Sequence, residues 1–509
     1  MSDTPPPPGT DAEPKRHSRL VAFAVGGVFL LLLVGLTGYG LAGRDDGEDR
    51  AEPSETTAAP DTEATTSTTT ALDPAQPDPP ADGIGDPYSP DSGATGYDAT
   101  HYDIAFAYDP EDQTIDGVTT MTATAEVDLG QFSVDLLALE ISEATVDGEP
   151  ADVETAGRDV RIQPAEPIAE GDEFVTEIAY AGVPEPVVSA GFPTGWLTTE
   201  DDGAYVIGEP DGAATWFPSN DHPSDKATVD VEVTVPRGWT VAGNGAFAGR
   251  ERDGGDVTWT WQEDDPIATY LVTVAIDHFR MVEDETESGL PLISFFPEAD
   301  ADRLESDFAD AGPMIDAFEE LFGPYPFDEY GAIVVPESTG LALETQTRST
   351  FGIDVASVEL FRAHELAHQW FGDSLTPQRW ADIWLNEGFA SYAEMLWSEA
   401  SDPGYDIDDD AASRRASIVD YDEDAILDPG VDRWFSEAVY QRGGLALHAL
   451  RRTVGDEDFF TILQRWAAEY RHENVTTDDF IALAEEVSGE DLEAFFADWL
   501  EADEIPELP

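Results

Sequence analysis

The sequence predicts an α+β multidomain protein: an N-terminal transmembrane helix and a disordered stalk, then an antiparallel β-sandwich-type domain, then a mainly helical domain. Three features support this prediction. Residues 20–42 are apolar and uncharged, apolar and polar side chains alternate through the middle of the chain, and apolar residues recur at helical spacing after about residue 290. Side chains repeat every 2 residues along a strand and every 3.6 residues along a helix, so each pattern indicates its own structure.

The apolar run is long enough to cross a membrane. At about 1.5 Å per residue, a helix over residues 20–42 spans a hydrocarbon core of about 30 Å. Lys15, Arg16 and Arg19 precede the run and acidic residues follow it, which places residues 1–19 in the cytoplasm as a tail. We therefore expect a single-pass protein of the cell membrane with the remaining chain outside the cytoplasm. A cleaved signal peptide is the alternative, although the run is long for one.

The composition excludes several classes of protein. Acidic residues outnumber basic residues by 108 to 24, which gives a formal net charge of -84. Such a surface repels nucleic acid, so we expect no nucleic-acid partner. This charge has two explanations. The protein works in high salt, where screening weakens self-repulsion, or the proteins of its lineage are acidic in general. Because the chain has no cysteine, histidine and carboxylate side chains must hold any metal.

Residues 43–95 are predicted to form a disordered, acidic stalk. They are rich in Thr, Pro, Asp, Glu and Ala and nearly free of aromatic residues, so little apolar surface offsets the entropy of ordering. The all-β domain is predicted over residues 96–285. Its clearest strand covers residues 229–235, where valine alternates with polar residues and leaves one face apolar.

The helical pattern occupies residues 286–509. A short strand is predicted at Ala332–Val335, and an acidic, irregular loop is predicted between Asp402 and Pro429. The predicted helices cover residues 308–322, 355–371, 387–400, 438–454, 456–470, 478–487 and 491–501.

One motif carries the clearest chemistry, the sequence His-Glu-Leu-Ala-His at residues 364–368. Residues four apart share one face of a helix, so His364 and His368 can bind one metal ion while Glu365 lies beside them. Two ligands leave tetrahedral zinc under-coordinated, and water usually occupies the fourth position. Glu387, at the start of the next amphipathic segment, is the natural third ligand. A buried helix with two hydrogen-bonded histidines is the alternative.

Three stretches extend this motif: HELAHQWFG at residues 364–372, WLNEGFA at residues 384–390 and FPSNDHP at residues 217–223. In these stretches the chain resembles the gluzincin metalloaminopeptidases of the aminopeptidase N family, from about Gly96 to the C-terminus. The resemblance implies a thermolysin-like catalytic domain with a short C-terminal helical part in residues 286–509. It also implies one zinc ion (Zn2+) per chain.

The resemblance assigns roles to individual residues. It makes His364, His368 and Glu387 the zinc ligands and Glu365 the general base. Tyr440 lies in a segment similar to the one that holds the catalytic tyrosine of the family, where a phenol can donate a hydrogen bond to the oxyanion of a tetrahedral intermediate. An ordinary aromatic residue near the start of a helix is the alternative for Tyr440.

Two acidic residues resemble the positions that bind the substrate amine in this family. Glu344 corresponds to the glutamate of the Gly-x-Met-Glu-Asn motif of this family, but glycine lies one position early, leucine replaces methionine and threonine replaces asparagine. Glu209 lies nine residues before Pro218, the spacing expected of the second position, but Ala214 replaces the arginine common between them. An ordinary solvated carboxylate is the alternative for each.

Two further residues lie near Glu387 in the sequence. Glu394 is two helical turns beyond Glu387 on the same face, and it could accept the second ring N–H of a zinc-bound histidine. Asn386 could orient a neighbour in a similar way. Surface positions are the alternative for both residues.

The motif and the resemblance together imply a zinc-dependent aminopeptidase that hydrolyses N-terminal residues from peptides with a zinc-activated water and a glutamate base. The expected partners are peptides with a free N-terminus and, through the N-terminal helix, the membrane; the oligomeric state stays open. About seventy residues follow Tyr440, fewer than in the larger relatives, so the resemblance implies more open access. A zinc hydrolase of a non-peptide substrate, such as an epoxide, and a non-catalytic cell-surface binding protein are the alternatives.

Overall fold

The computed structural model describes residues 83–419 and 424–509. The predicted cytoplasmic tail, the predicted anchor and residues 43–82 of the predicted stalk lie outside the described residues. Across the two described ranges, no helix combines the length and the apolar composition that crossing a membrane requires.

The alternating pattern forms strands, as the sequence predicts. In chain order the strands are β1 Tyr97–Asp109, β2 Thr114–Ala125, β3 Phe132–Asp135, β4 Glu140–Val146, β5 Glu149–Pro150, β6 Asp152–Ala156, β7 Asp159–Gln163, β8 Glu173–Gly182, β9 Val187–Ser189, β10 Phe192–Thr198, β11 Ala204–Ile207, β12 Lys226–Pro236, β13 Thr240–Gly243, β14 Ala246–Asp253, β15 Asp256–Ala268, β16 Val274–Asp277, β17 Phe279–Glu285, β18 Pro291–Pro297, β19 Ala332–Val335, β20 Ala342–Leu343, β21 Ser349–Gly352, β22 Thr376–Pro377 and β23 Asn474–Val475.

The largest sheet has eight strands in the order β14-β15-β12-β1-β2-β8-β4-β5. Its neighbouring strands pair antiparallel except for β1 and β12, which run parallel with Tyr102 opposite Val229. The prediction of an entirely antiparallel domain is therefore wrong at this pair. A parallel pair needs a long crossover connection, and here strands β2 to β11 supply it.

A second sheet, in the order β13-β16-β11-β10-β9, covers the apolar face of the large sheet. Phe106 and Tyr108 of β1 contact Trp196 of β10, with ring centroids 5.9 and 5.6 Å apart. Alternate side chains of a strand point to the same face, so β1 presents both rings to the second sheet. This packing of two sheets fits the predicted sandwich type.

A third sheet, in the order β17-β18-β19-β21-β20, joins the β part to the helical part. Strands β17 and β18 form a hairpin, and β19 pairs parallel with both β18 and β21. The strand predicted at Ala332–Val335 is β19. The predicted domain boundary between residues 285 and 286 falls in the turn of the hairpin, and that boundary stays a prediction.

Helices make up most of the remaining chain. They are α1 Ala301–Asp307, α2 Ala311–Phe322, α3 Glu359–His368, α4 Trp384–Ser401, α5 Ile407–Ile418, α6 Glu437–Val454, α7 Asp456–Glu469, α8 Thr477–Ser488 and α9 Glu493–Phe496, which continues as a π-helical turn at Ala497–Glu501. Helix α3 is shorter at both ends than the predicted helix over residues 355–371. Residues 353–357 form a turn before it, and the chain turns again between His368 and Ser374.

Helix α5 corrects the prediction of an irregular loop between Asp402 and Pro429. Asp406 caps the helix, because its side chain accepts hydrogen bonds from the backbone N–H groups of Asp408 and Asp409. Acidic residues in the first turn and an arginine in the last turn match the charges of the helix dipole. The buried side chains Ile407, Ala411 and Ile418 form too sparse an apolar stripe for the sequence to show the helix clearly.

Residues 83–95, predicted as the C-terminal end of the disordered stalk, are instead packed against the rest of the chain. Asp86 is buried, and its Oδ2 atom accepts a hydrogen bond of 2.9 Å from the backbone N–H of Trp380. The hydroxyl of Tyr88 donates to the carboxylate of Asp428 at 2.8 Å. This segment orders because its few large or charged side chains find partners far along the chain, which composition does not show.

A close contact between two glycines sets the spacing of α4 and α6. A Cβ atom built on Gly443 would lie 2.7 Å from the Cα atom of Gly388. Such a distance is below any van der Waals contact, so both positions require the absence of a side chain. The glycine of the WLNEGFA stretch therefore brings the helix that carries Tyr440 against the helix that carries Glu387.

We predict that Gly443→Ala lowers the unfolding midpoint, because the added methyl group forces α4 and α6 apart and overpacking costs about 1–3 kcal/mol. Thermal unfolding followed by circular dichroism measures the change. The matched control is Gly444→Ala, whose Cβ would meet Ser391 at an ordinary 3.4 Å. Equal midpoints for the two variants would contradict the contact.

Candidate active site

Two helices bring the three predicted metal ligands together. His364 and His368 lie one turn apart at the end of α3, and Glu387 lies in the first turn of α4. The Oε2 atom of Glu387 lies 3.1 Å from Nε2 of His364 and 3.5 Å from Nε2 of His368. All three side chains are buried, so water does not compete freely for these atoms.

The second ring nitrogen of each histidine also has a defined partner. Nδ1 of His364 lies 3.0 Å from Oε1 of Glu394, the partner predicted for a histidine ligand. Nδ1 of His368 lies 3.0 Å from the backbone carbonyl of Phe371. Because a carbonyl only accepts, Nδ1 of His368 donates its proton to Phe371, and in the neutral ring Nε2 is then the nitrogen that can bind a metal ion.

This donor set fits zinc. Zinc prefers imidazole nitrogen and carboxylate oxygen at about 2.0–2.2 Å, and a tetrahedron of that size has edges of about 3.3–3.6 Å. The distances of 3.1 and 3.5 Å from Glu387 to the two imidazoles are close to those edges. The oxygen partners of both Nδ1 atoms supply the usual outer support of a histidine ligand.

A glycine shapes the turn behind His368. Gly372 has a φ of 135°, a backbone conformation that disfavours other residues. A Cβ atom at this position would lie 3.1 Å from Nδ1 of His368 and 3.3 Å from the side-chain nitrogen of Asn386. The glycine at the end of the HELAHQWFG stretch therefore leaves room for the Phe371 carbonyl to reach His368.

Glu365, Glu344 and Glu209 lie around the same point. Oxygen atoms of Glu344 and Glu365 lie within 4.8 Å of a nitrogen of His368 and of each other. One oxygen atom each of Glu209, Glu344 and Glu387 also lie within 4.8 Å of one another. Oε1 of Glu209 and Oε1 of Glu344 are buried and have no hydrogen-bond partner among the described residues. The structure thus brings the predicted base, two of the predicted metal ligands and both predicted amine-binding acids together.

The electrostatics of this group favour cations. Burial raises the pKa of Glu365 to about 8, and burial together with neighbouring carboxylates raises the pKa of Glu209 well above its usual value. Burial also raises the pKa of Glu344. Burial alone would raise the pKa of Glu387 as well, but His368 and His364 outweigh it and lower that pKa to about 2. The carboxylates of Glu209, Glu344 and Glu365 therefore favour a cation beside them.

Tyr440 lies in the first turn of α6 and faces the predicted ligands. Its ring stacks on the imidazole of His364, with centroids 5.9 Å apart and planes 18° apart. Burial raises the pKa of Tyr440 well above its usual value, and the carboxylate of Glu387 adds to the rise. The phenol therefore keeps its proton at neutral pH and can donate a hydrogen bond.

Asn386 contacts a residue that the sequence did not single out. Its side-chain nitrogen donates to the hydroxyl of Tyr270 at 3.3 Å, so the neighbour that it orients is a tyrosine. Burial raises the pKa of Tyr270 well above its usual value, with Glu344 as the next cause. No local pattern marks Tyr270, which reaches the site from the turn after β15.

A second residue missed by the sequence reasoning is Arg414 on α5. Its Nη2 atom lies 3.3 Å from Oε2 of Glu394. A signal for α5 was present in the sequence, because Asp406 precedes an acidic stretch that ends in two arginines, the charge order of a capped helix.

The large β sheet supports the site through Lys226, the first residue of β12. Its Nζ atom donates to the backbone carbonyls of Asp373 at 2.8 Å and Ser374 at 3.1 Å. These residues lie in the turn after Phe371, whose carbonyl faces His368. Lys226 comes shortly after the FPSNDHP stretch, so this stretch leads directly to a contact between the β part and the metal-site turn.

Comparison with known proteins agrees with this geometry. Residues 98–271 match the model of the peptidase M1 N-terminal domain, and residues 307–499 match that of the peptidase family M1 domain. An aminopeptidase N of Streptomyces lividans is 28% identical over 449 residues, which cover 79% of this chain and 50% of that protein. Human glutamyl aminopeptidase is 28% identical over 307 residues, 55% of this chain and 32% of that protein. The chain spans half or less of the length of these two relatives.

Solved structures cover the chain more fully. A mutant of the M1 zinc metallopeptidase from Deinococcus radiodurans, bound to a Tyr-Ser-Ala substrate, aligns with a TM-score of 0.77 and 30% identity. The alignment covers 84% of this chain and 99% of that one. With both domain models and a structural relative of this extent, the chain belongs to the aminopeptidase N family of gluzincin metallopeptidases, peptidase family M1.

Proposed function

We propose that this protein is a zinc-dependent aminopeptidase that removes N-terminal residues from peptides. The main support is the arrangement of Glu209 and Glu344, each with an unpartnered, buried carboxylate oxygen beside Glu387. Buried carboxylates without partners are costly unless a cation pairs with them, and the ammonium group of a peptide N-terminus is such a cation. The bound Tyr-Ser-Ala of the Deinococcus relative is a peptide substrate of the expected kind.

His364, His368 and Glu387 would hold one zinc ion per chain. When bound, zinc lowers the pKa of a water molecule toward about 7 and polarises the scissile carbonyl. Glu394 and the Phe371 carbonyl keep the two imidazoles in the orientation that binding requires.

The remaining steps belong to side chains of the protein. Glu365 takes a proton from the attacking water and later gives it to the departing amine. Tyr440 donates a hydrogen bond from its hydroxyl to the oxyanion of the tetrahedral intermediate, and its raised pKa keeps the phenol protonated for this role. Glu209 and Glu344 bind the substrate ammonium, so the first peptide bond lies at the reacting centre.

We retain neither alternative function. A non-catalytic binding protein would not need a base, and here Glu365 lies beside the ligand group together with Tyr440. No observation on the described residues favours a non-peptide substrate over a peptide with a free N-terminus.

We also propose that residues 20–42 anchor the protein in the cell membrane as a single span, with the catalytic part outside the cytoplasm. The support is the uncharged apolar run and the three basic residues that precede it. Residues 43–82 would then separate the catalytic part from the membrane. The peptides available to the enzyme would be extracytoplasmic.

We predict that Glu365→Gln keeps its zinc but loses about 10²–10⁴-fold in kcat, because a glutamine cannot accept the proton of the attacking water. Glu387→Ala, by contrast, is expected to lose the zinc. Elemental analysis of the purified proteins and release of free amino acids from a peptide measure both effects. Unchanged turnover in zinc-loaded Glu365→Gln would exclude the mechanism.

Glu344→Gln tests the amine site. We expect the ratio of kcat/KM for a free peptide to that for its N-acetylated form to fall about 10–100-fold, because a charge-assisted hydrogen bond contributes about 1.5–3 kcal/mol. Glu490→Gln changes an exposed glutamate and serves as the control. If Glu344→Gln slowed cleavage of free and acetylated peptides equally, Glu344 would not bind the amine.

Membrane fractionation tests the anchor. Full-length protein is expected in the membrane fraction after a high-salt wash, because an apolar span of this length does not dissociate with ionic strength. A chain that begins at residue 43 serves as the control and should be soluble. Recovery of the full-length protein in the soluble fraction would contradict the proposal.

A further inference from the structure

Helix α5 places an arginine behind the candidate metal ligands. The guanidinium of Arg414 donates from Nη2 to Oε2 of Glu394 at 3.3 Å and from Nη1 to Oε1 of Gln441 at 3.3 Å. Its Nε atom donates to Oδ2 of Asp410 at 2.8 Å, one turn earlier on α5. One planar group therefore contacts three different acceptors.

The contact with Glu394 extends to the candidate zinc ligand. Glu394 uses Oε2 for Arg414 and Oε1 for Nδ1 of His364, which lies 3.0 Å away. A carboxylate that is bonded through both oxygens cannot rotate without losing a hydrogen bond. Arg414 therefore restricts the orientation of the group that orients His364.

The contact with Gln441 extends to the predicted oxyanion donor. Gln441 directly follows Tyr440 on α6, while Glu394 lies on α4. The guanidinium of Arg414 thus lies between the helix that carries Glu387 and the helix that carries Tyr440. Lysine could not make the same set of contacts, because an ammonium group lacks the fixed fork of a guanidinium.

We propose that Arg414 is a positioning residue of the active site. It holds Glu394 against His364, and it bonds Gln441, the residue after Tyr440 on α6. Through these two contacts it fixes the distance between the predicted ligand His364 and the predicted oxyanion donor Tyr440. The inference rests on the function proposed above, but its first consequence, support of the metal ligands, does not depend on the substrate.

The neighbouring Arg415 provides a matched control. The two arginines are adjacent on α5 and their side chains are similarly exposed, at 20% and 18%. Arg415 points to the C-terminal segment, where it donates to the backbone carbonyls of Ile505 and Pro506. Loss of either arginine removes a fold contact, but only Arg414 contacts Glu394.

The experiment compares Arg414→Gln, Arg414→Lys and Arg415→Gln in the full chain. Zinc affinity is measured by competition with a chromophoric chelator in the absence of peptide, and the unfolding midpoint is measured on the same samples. We expect Arg414→Gln to weaken zinc binding about 10–100-fold, the usual effect of removing an outer partner of a metal ligand. Arg415→Gln should leave zinc affinity unchanged, and Arg414→Lys should restore part of the loss.

A double-mutant cycle with Glu394→Gln sharpens the test. If Arg414 acts through Glu394, the two substitutions together should weaken zinc binding little more than either alone. Additive losses would overturn the proposal, as would a wild-type zinc affinity for Arg414→Gln or an equal loss for Arg415→Gln. If Arg414→Gln does not fold, the comparison of Arg414→Lys with Arg415→Lys decides the question in the same way.

Kinetics separate this proposal from the proposed function. We expect Arg414→Gln, when saturated with zinc, to lower kcat with little change in KM, because the positions of His364 and Tyr440 matter most in the transition state. If the protein without substitutions bound zinc but released no amino acid from peptides, the proposed aminopeptidase function would be refuted. The zinc competition would still decide the role of Arg414.

Discussion

The structure depends on the close approach of α3 and α4, which holds one carboxylate oxygen of Glu387 at 3.1 and 3.5 Å from two imidazole nitrogens. Within α3, helical geometry alone sets the separation of His364 and His368. Glu387 lies on another helix, so its position depends on tertiary packing. The glycine pair Gly388 and Gly443 then brings α6 against α4, and with it the ring of Tyr440 against His364.

Buried negative charge is the second constraint on this site. Glu209, Glu344, Glu365 and Glu387 lie close together in a volume from which water is largely excluded. Carboxylates so placed repel one another and shift toward the protonated form unless positive charge is supplied. Under the proposed function, a divalent cation and a substrate ammonium would supply it, and the burial that raises the pKa values of Glu209, Glu344 and Glu365 would favour the binding of both.

Three contacts from surrounding elements support the predicted metal-binding side chains. The Phe371 carbonyl faces His368, Glu394 faces His364, and Lys226 ties the turn after α3 to the large β sheet. Helix α5 adds Arg414 behind Glu394. Both the β part and helix α5 therefore contact the surroundings of the candidate active site, although neither contributes a predicted zinc ligand.

The sequence by itself determined the features that adjacent residues encode. The spacing of His364 and His368, the valine alternation of β12 and the apolar repeats of α4 and α6 are local, so each predicted its element and the centre of the site. Tertiary structure alone decided that β1 pairs parallel with β12 and that residues 83–95 are ordered. It also decided the contacts of Tyr270 with Asn386 and of Arg414 with Glu394. These features depend on segments far apart in the chain, and no short-range period records which distant side chains pack together.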